Sequence, residues 1–455
     1  MSYSREHDEK AIPLLPVHAS DYEQWLENAP EHHQRWLETA GFTAEPGKWC
    51  GLPDARGRME ACVFGMADSG WLYQLANLPE SLPPGNYRLV SVWSKDHRIQ
   101  ASLGWGLAAY RFERYFKQQR PVPVLCLEED TADAVERVFA AQKLVRDLVN
   151  TPTEDMGPED LVDAATVIGD RFDARSEVII GEDLLSENFP AIHAVGRASS
   201  RAPRMLRLSW GDKDAPLLAL VGKGVCFDTG GLDLKRSSGM LLMKKDMGGA
   251  AHVIALAQLV MQYRLPVRLE LLIPAVENSV SGNAYRPGDV IPTRKGLSVE
   301  IGNTDAEGRV VLADCLAFAC EQRPDLVIDF ATLTGAARIA LGADLPPVFS
   351  NRLEIAEALA AAGERVEDPL WVMPLYQPYK QQLKSEIAHL GNVAKSSYGG
   401  CIIAALFLEH FIEPEVPWVH IDTFAWNQAT RPGRPVGGEA LGLRAVFNYL
   451  RERYS

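Results

Sequence analysis

The chain has 455 residues, about 50.2 kDa, with 60 acidic and 46 basic side chains and a formal charge of −14. That length predicts two or three domains with a large buried core, and 47% hydrophobic with 23% charged residues excludes wholesale disorder. Residues 1–150 carry 16 basic against 21 acidic groups and the remainder 30 against 39, so neither part is basic and a nucleic-acid-binding surface is disfavoured.

Residues 1–128 hold six of the ten tryptophans (Trp25, Trp36, Trp49, Trp71, Trp93, Trp105), short apolar runs and turn clusters such as 81–85. The pattern predicts a small α/β domain with a helix over 19–40 and strands over 70–75 and 87–93. Nothing in it has the look of a catalytic motif. Residues 129–151 form the expected connecting helix, with Ala132, Val135, Val138, Phe139, Leu144 and Leu148 near helical spacing. It should end at Asn150-Thr-Pro152, where proline opposes continuation. Residues 152–455 make the larger domain. From about residue 160 apolar strands (177–180, 205–209, 217–221, 268–273, 326–330, 418–421) alternate with helical patterns (248–263, 309–321, 402–411). This alternation predicts an α/β fold with a central, mostly parallel sheet covered by helices. In such sheets function gathers past the carboxyl ends of strands.

The cysteines (Cys50, Cys62, Cys126, Cys226, Cys315, Cys320, Cys401) contain no C-x-x-C pair, and their odd number reads as buried thiols in a reducing compartment. The first thirteen residues lack the pattern of a secretory signal. The longest apolar stretch, near Cys401–Leu408, is far short of the ~18 residues of a membrane span. A cytoplasmic, membrane-free protein is expected.

Three segments place carboxylates beside glycines, which allow tight turns and close backbone approach. Residues 221–231 read Val-Gly-Lys-Gly-Val-Cys-Phe-Asp-Thr-Gly-Gly, residues 243–250 Met-Lys-Lys-Asp-Met-Gly-Gly-Ala, and residues 302–309 Gly-Asn-Thr-Asp-Ala-Glu-Gly-Arg. If the last is extended, Asp305, Glu307 and Arg309 project to one side. Clustered carboxylates repel unless a cation or proton relieves them, and hard divalent ions take carboxylate oxygen. Asp228 and Asp246 could complete a four-carboxylate cage. The ten histidines show no H-x-x-x-H spacing, so a metal site here must be carboxylate-rich. Each residue alone also has a plain structural reading. Lys223 could be a solvated or anion-facing lysine, Asp246 a helix cap, 305–309 a turn with a surface ion pair, Met243 core filler, and Cys226 a small buried residue. Gly222-Lys-Gly224 lacks the G-x-x-x-x-G-K-[ST] spacing of a phosphate loop.

Together, the segments resemble the leucyl aminopeptidase family of hexameric two-metal cytosol aminopeptidases. The resemblance rests on 303–309 (Asn-Thr-Asp-Ala-Glu-Gly-Arg), 221–231, Lys235, 243–250, 329–336 (Asp-Phe-Ala-Thr-Leu-Thr-Gly-Ala) and 398–405 (Tyr-Gly-Gly-Cys-Ile-Ile-Ala-Ala), in order, over roughly 140–455. It implies that Lys223, Asp228, Asp246 and Glu307 hold one divalent ion, and that Asp228, Asp305 (with its carbonyl) and Glu307 hold another. The metals would be zinc, with manganese, magnesium or cobalt able to fill the more exchangeable site. Lys235 and Arg309 match the two catalytic positions: Lys235 stabilising the gem-diolate, Arg309 holding a bicarbonate that serves as general base. Met243 and Leu333, with Asn303, Thr332, Thr334 and Gly335, fall at the substrate pocket, which suits leucine- or methionine-like side chains. Lysine ligates only as a neutral amine, so Lys223 would need its pKa driven down by the adjacent dication.

The chain departs from that pattern at Arg236, where relatives often have proline, at the Lys244-Lys245 pair, and at His389, where an aspartate is expected. The resulting expectation is a metal-dependent aminopeptidase acting on peptides, preferably those with leucine-like N-termini, as a homohexamer. The rival readings are a DNA-binding accessory role, for which the cluster 111–120 is the one candidate patch, and another two-metal hydrolase such as a phosphatase.

Overall fold

The computed structural model describes all residues except 1, 7, 9, 69 and 117–120. It divides into two compact units, 1–143 with 428–436, and 144–427 with 437–455. The basic cluster 111–120 lies partly outside the described residues.

The first unit is built on a six-stranded sheet in the order Tyr3–Ser4, Val124–Cys126, Asn86–Leu89, Ile12–His18, Met59–Met66, Trp49–Pro53. All pairs are parallel except the last. Leu14, Phe64, Tyr87 and Trp105 are buried in its core, the last on the helix Lys95–Ala109. Three sequence expectations change here. The single helix over 19–40 is two helices, Tyr22–Glu27 and Glu31–Ala40, because Pro30 sits extended (φ −54°, ψ 141°) and starts the second. The strand over 70–75 is a 3₁₀ turn, Trp71–Tyr73, entered from Gly70 at φ 82°. Short apolar runs are ambiguous between strand and helix, and Gln74 decides this one by bonding both backbone groups of Ala67. The strand expected over 87–93 ends at Leu89.

The helix Glu129–Asn150 forms as its spacing predicts. In the second unit the sheet runs Trp371–Val372, Pro347–Ser350, Trp418–Asp422, Leu326–Ala331, Leu217–Gly222, Arg268–Asn278, Arg204–Trp210, Arg175–Ile180, with Gly224–Asp228 also pairing to Arg268–Asn278. The four central strands are mutually parallel, and antiparallel pairs lie to either side. Leu217–Gly222 and Leu326–Ala331 are buried along their whole length, which explains why they read as continuous apolar runs. The helices Gly248–Gln262 and Glu307–Glu321 pack on them and are almost wholly buried.

A hydrogen-bonded polar cluster lies within that core. Asp329 accepts from Trp418 Nε1 at 2.7 Å and meets His420 Nδ1 at 2.6 Å, all three buried. Burial works against the His420 imidazolium, but Asp329 outweighs it and raises its pKa above the ordinary 6.5. Stability from the charged pair is therefore complete below that value and is lost as pH rises through the folded one. Asp329→Ala leaves the two donors buried without an acceptor and should cost about 3 kcal/mol, read as a lower thermal unfolding midpoint.

Candidate metal centre and active site

The parallel strands deliver the site. Lys223 follows Leu217–Gly222, Asp228 ends Gly224–Asp228, and residues 332–335 follow Leu326–Ala331. Asp246 lies in the 3₁₀ turn Met243–Met247 that leads into the helix Gly248–Gln262. Each is at a strand's carboxyl end or the turn it faces, as open α/β sheets place their sites. Lys223 is fixed by backbone bonds on both sides, donating to Phe330 O (3.0 Å) and accepting from Ala250 N (2.8 Å).

Residues 305–309 are not extended. Asn303 Oδ1 accepts from Asp305 N at 2.7 Å, an Asx turn, and the helix Glu307–Glu321 starts two residues later. Glu307 and Arg309 are thus about 200° apart around a helix rather than on one strand face. In the first turn of that helix a Cβ on Gly308 would lie 2.4 Å from Lys223 Cε, so glycine there leaves room for the lysine.

Four of the predicted carboxylates and two lysines meet. Lys223 Nζ lies 2.6 Å from Asp246 Oδ2 and 2.9 Å from Glu307 Oε1. Lys235 Nζ lies 2.8 Å from Asp228 Oδ2 and also contacts Asp305 Oδ1. Oxygens of Asp228, Asp305 and Glu307 all fall within 4.8 Å of one another. The electrostatic cost appears in the pKa directions. Burial and Asp228 push Glu307 well above the usual range, and the same two causes raise Asp305 to about 6. Burial disfavours the Lys223 ammonium, but Asp246, Glu307 and Asp228 outweigh it and raise its pKa. Among these side chains alone Lys223 is therefore charged, and only a competing dication would make it the neutral amine that ligation needs. The donor set fits such ions: Glu307 Oε2 is buried with no hydrogen-bond partner among the described residues, and crowded carboxylate oxygens are what hard divalent cations bind.

Arg309 is 8% exposed. Its Nη1 donates to Asn392 O at 2.8 Å, while Nε is buried without a hydrogen-bond partner among the described residues. Burial lowers its pKa to about 10 against the pull of Glu307 and Asp422, so it stays charged at neutral pH with donors to spare for a planar anion. Thr332 Oγ1 lies 2.8 Å from Asp246 Oδ1. Leu333 and Thr334 donate their amides to Asp422 Oδ1, and Thr334 Oγ1 reaches Asp422 Oδ2 at 2.6 Å. Met243 and Leu333 are partly exposed, and Gly335 is exposed.

Several supports escaped the sequence reading. Asn278 Nδ2 donates to Asp228 Oδ1 (2.8 Å) and to Thr304 O (3.0 Å), Tyr285 OH donates to Thr304 O (2.6 Å), and Asn392 Oδ1 accepts from Gly302 N (2.8 Å). They lie 19 to 90 residues from the groups they hold, so no local motif announced them. Lys244, one of the departures, donates to Asn150 O at 2.6 Å, and His389 Nδ1 accepts from Ser298 N at 3.0 Å. A groove of about 680 Å³ beside Ser350, Arg352 and Glu409 contains none of the predicted site residues.

The model of the cytosol aminopeptidase catalytic domain matches residues 143–447, and that of the M17 aminopeptidase N-terminal domain matches 12–128. The chain belongs to the cytosol aminopeptidase family. It is a metal-dependent aminopeptidase, and its two-part α/β fold is that of the family. Its relatives include a probable cytosol aminopeptidase of Syntrophotalea carbinolica, 42% identical over 365 residues (76% of this chain, 73% of the relative). Peptidase B of an Enterobacter species is 43% identical over 318 residues (67% and 74%). Among solved structures, the cytosol aminopeptidase of Coxiella burnetii superposes with a TM-score of 0.97 at 47% identity, covering both chains fully. The bottromycin maturation enzyme BotP in complex with Mn gives 0.88 at 30% identity over 98% of this chain and 100% of that one.

Proposed function

We propose that this aminopeptidase releases N-terminal residues from peptides, preferring leucine-like ones, at a two-metal centre. The observation that carries the reading is the convergence of Asp228, Asp246, Asp305 and Glu307 on two lysines at the carboxyl ends of the sheet. Lys223, Asp228, Asp246 and Glu307 would hold one ion, and Asp228, Asp305 and Glu307 the other, either zinc or manganese. When bound, the two ions supply an activated water and an anchor for the substrate's free amine.

The chain's own groups do the rest. Lys235 presents its ammonium to the scissile carbonyl and stabilises the negative charge that develops on its oxygen. Arg309 offers a guanidinium fork for bicarbonate, which would supply the general base. Met243 and Leu333 line the side-chain pocket beside Thr332, Thr334 and Gly335, with Asn303 holding the nearby turn; their partial exposure suits an aliphatic N-terminal side chain. The reading takes the protein as a cytoplasmic homohexamer with no nucleic-acid or membrane partner; no helix among the described residues is long and apolar enough to cross a membrane. Its test is hydrolysis of leucine p-nitroanilide with Mn²⁺ or Zn²⁺ before and after chelation. Loss on chelation and recovery with metal is expected, and activity indifferent to chelator contradicts it.

One observation favours a broader preference. The Lys245 ammonium lies 4.8 Å from the Phe424 ring centre, and the Arg338 guanidinium 4.7 Å from the same ring. Burial lowers Lys245 to about 8, leaving it mostly protonated at pH 7. Two cations next to the Met243 turn would welcome an N-terminal side chain carrying a carboxylate or amide, so glutamate p-nitroanilide belongs beside leucine p-nitroanilide in that assay.

Support for Asp228 gives a further prediction. Asn278→Ala removes its side-chain amide donor, leaving Lys235, and should weaken metal retention or activity by about 10–100-fold, read as inactivation at lower chelator concentration.

A further inference from the structure

A second cluster of metal-binding side chains lies far from the catalytic carboxylates in sequence, in the N-terminal unit. His32 and His33 stand in the first turn of the helix Glu31–Ala40, and Glu60 on the strand Met59–Met66. A ligating atom from each falls within 4.8 Å of the others. His33 Nε2 is 2.8 Å from Glu60 Oε1, and His32 Nε2 is 3.7 Å from the same oxygen. The two imidazole rings are 4.1 Å apart and tilted by 50°.

His33 is the telling member. It shares the inner face of its helix with Leu37, four residues on, and both are buried, His33 at 7% exposure. Leu37 packs with Leu52 and Val63 in an apolar cluster. His33 Nε2, itself buried, meets the exposed Glu60 carboxylate at 2.8 Å as an ion pair and has no hydrogen bond among the described residues. A buried imidazole nitrogen facing a carboxylate, with a second imidazole beside it, is a set of donors that a divalent transition ion can take up. His32 and Glu60 are exposed, and His32 borders an open depression of about 600 Å³, so the third side of the cluster faces solvent. Arg35, on the same depression, is engaged by Glu31.

We propose that His32, His33 and Glu60 form a third metal site, binding a borderline divalent transition ion such as Zn²⁺ through two imidazoles, one carboxylate and water. Two nitrogens and one oxygen with a solvent-facing fourth position is a common zinc donor set. The ion would fasten the helix Glu31–Ala40 to the strand Met59–Met66, a structural clip with no part in peptide cleavage.

The test compares full-length wild type with His33→Gln, His32→Ala and Glu60→Gln. Each is equilibrated with micromolar Zn²⁺, gel-filtered, and measured for bound metal by mass spectrometry and for thermal unfolding. Wild type should hold one more zinc per chain than each variant, and zinc should raise its unfolding midpoint more than theirs. Leucine p-nitroanilide hydrolysis should be equal in all four, which also shows that the variants fold. The metal count is a difference, so it stands whether or not the catalytic centre takes two ions. Equal zinc content in wild type and the two exposed-residue variants, or a difference that appears only at millimolar zinc, overturns the proposal.

Discussion

Glu307→Ala should leave a folded protein with peptidase activity reduced by more than about 100-fold. Groups that merely orient metal ligands cost about 10–100-fold when removed, and Glu307 contacts Lys223 directly while its oxygens lie among those of Asp228 and Asp305. As a proposed ligand of both ions, it should cost more when lost than a supporting residue does. The fold should tolerate the change. Burial and Asp228 already press Glu307 toward its protonated form, and Lys223 keeps Asp246 at 2.6 Å. Steady-state kinetics with circular dichroism and bound-metal analysis check this: low kcat/KM, native ellipticity and reduced metal content are expected. Undiminished activity would remove Glu307 from the mechanism.

Lys235→Met should lower kcat by about 10²–10³-fold, the range seen when one preorganised donor to a developing oxyanion is removed. Bound metal should change little, since Lys235 is a cation and not a ligand. Burial opposes its charge, but Asp228 and Asp305 outweigh it and raise its pKa, so it is an ammonium at any working pH and a donor throughout. Asp228 and Asp305 also restrain the ammonium at the mouth of the cluster, where the side chain is 16% exposed. Lys235→Arg should not restore the rate, because a planar fork cannot replace a point charge in that space. A fall in KM-linked binding with kcat intact would assign Lys235 to substrate capture instead.

The sequence was most readable where backbone burial leaves little freedom. The strands Leu217–Gly222 and Leu326–Ala331 are fully buried, so their apolar runs marked the elements, and the glycine-flanked carboxylates of the three segments lie close together. Two kinds of feature were less readable. The turn at 303–306 depends on Asn303 capping Asp305 N, a side-chain bond that an extended reading of alternating charges overlooks. The region 70–75 took its form from Gly70 and from Gln74 bonding to Ala67. The supports Asn278, Tyr285, Asn392 and Asp422 reach the site only through tertiary folding, and nothing in their neighbours along the chain marks them. The N-terminal metal cluster is of the same kind, since Glu60 meets His33 across 27 residues.

On the proposed mechanism Asp228, Asp246, Asp305 and Glu307 exist to hold a pair of divalent ions. Crystals of the protein grown with Zn²⁺ or Mn²⁺ and measured at the absorption edge of the metal test it most directly. Two anomalous peaks should appear among Asp228, Asp246, Asp305 and Glu307, with Lys223 turned from its carboxylate partners to one of the ions. A single peak elsewhere, or none among these side chains with the lysines still bridging them, would contradict the account.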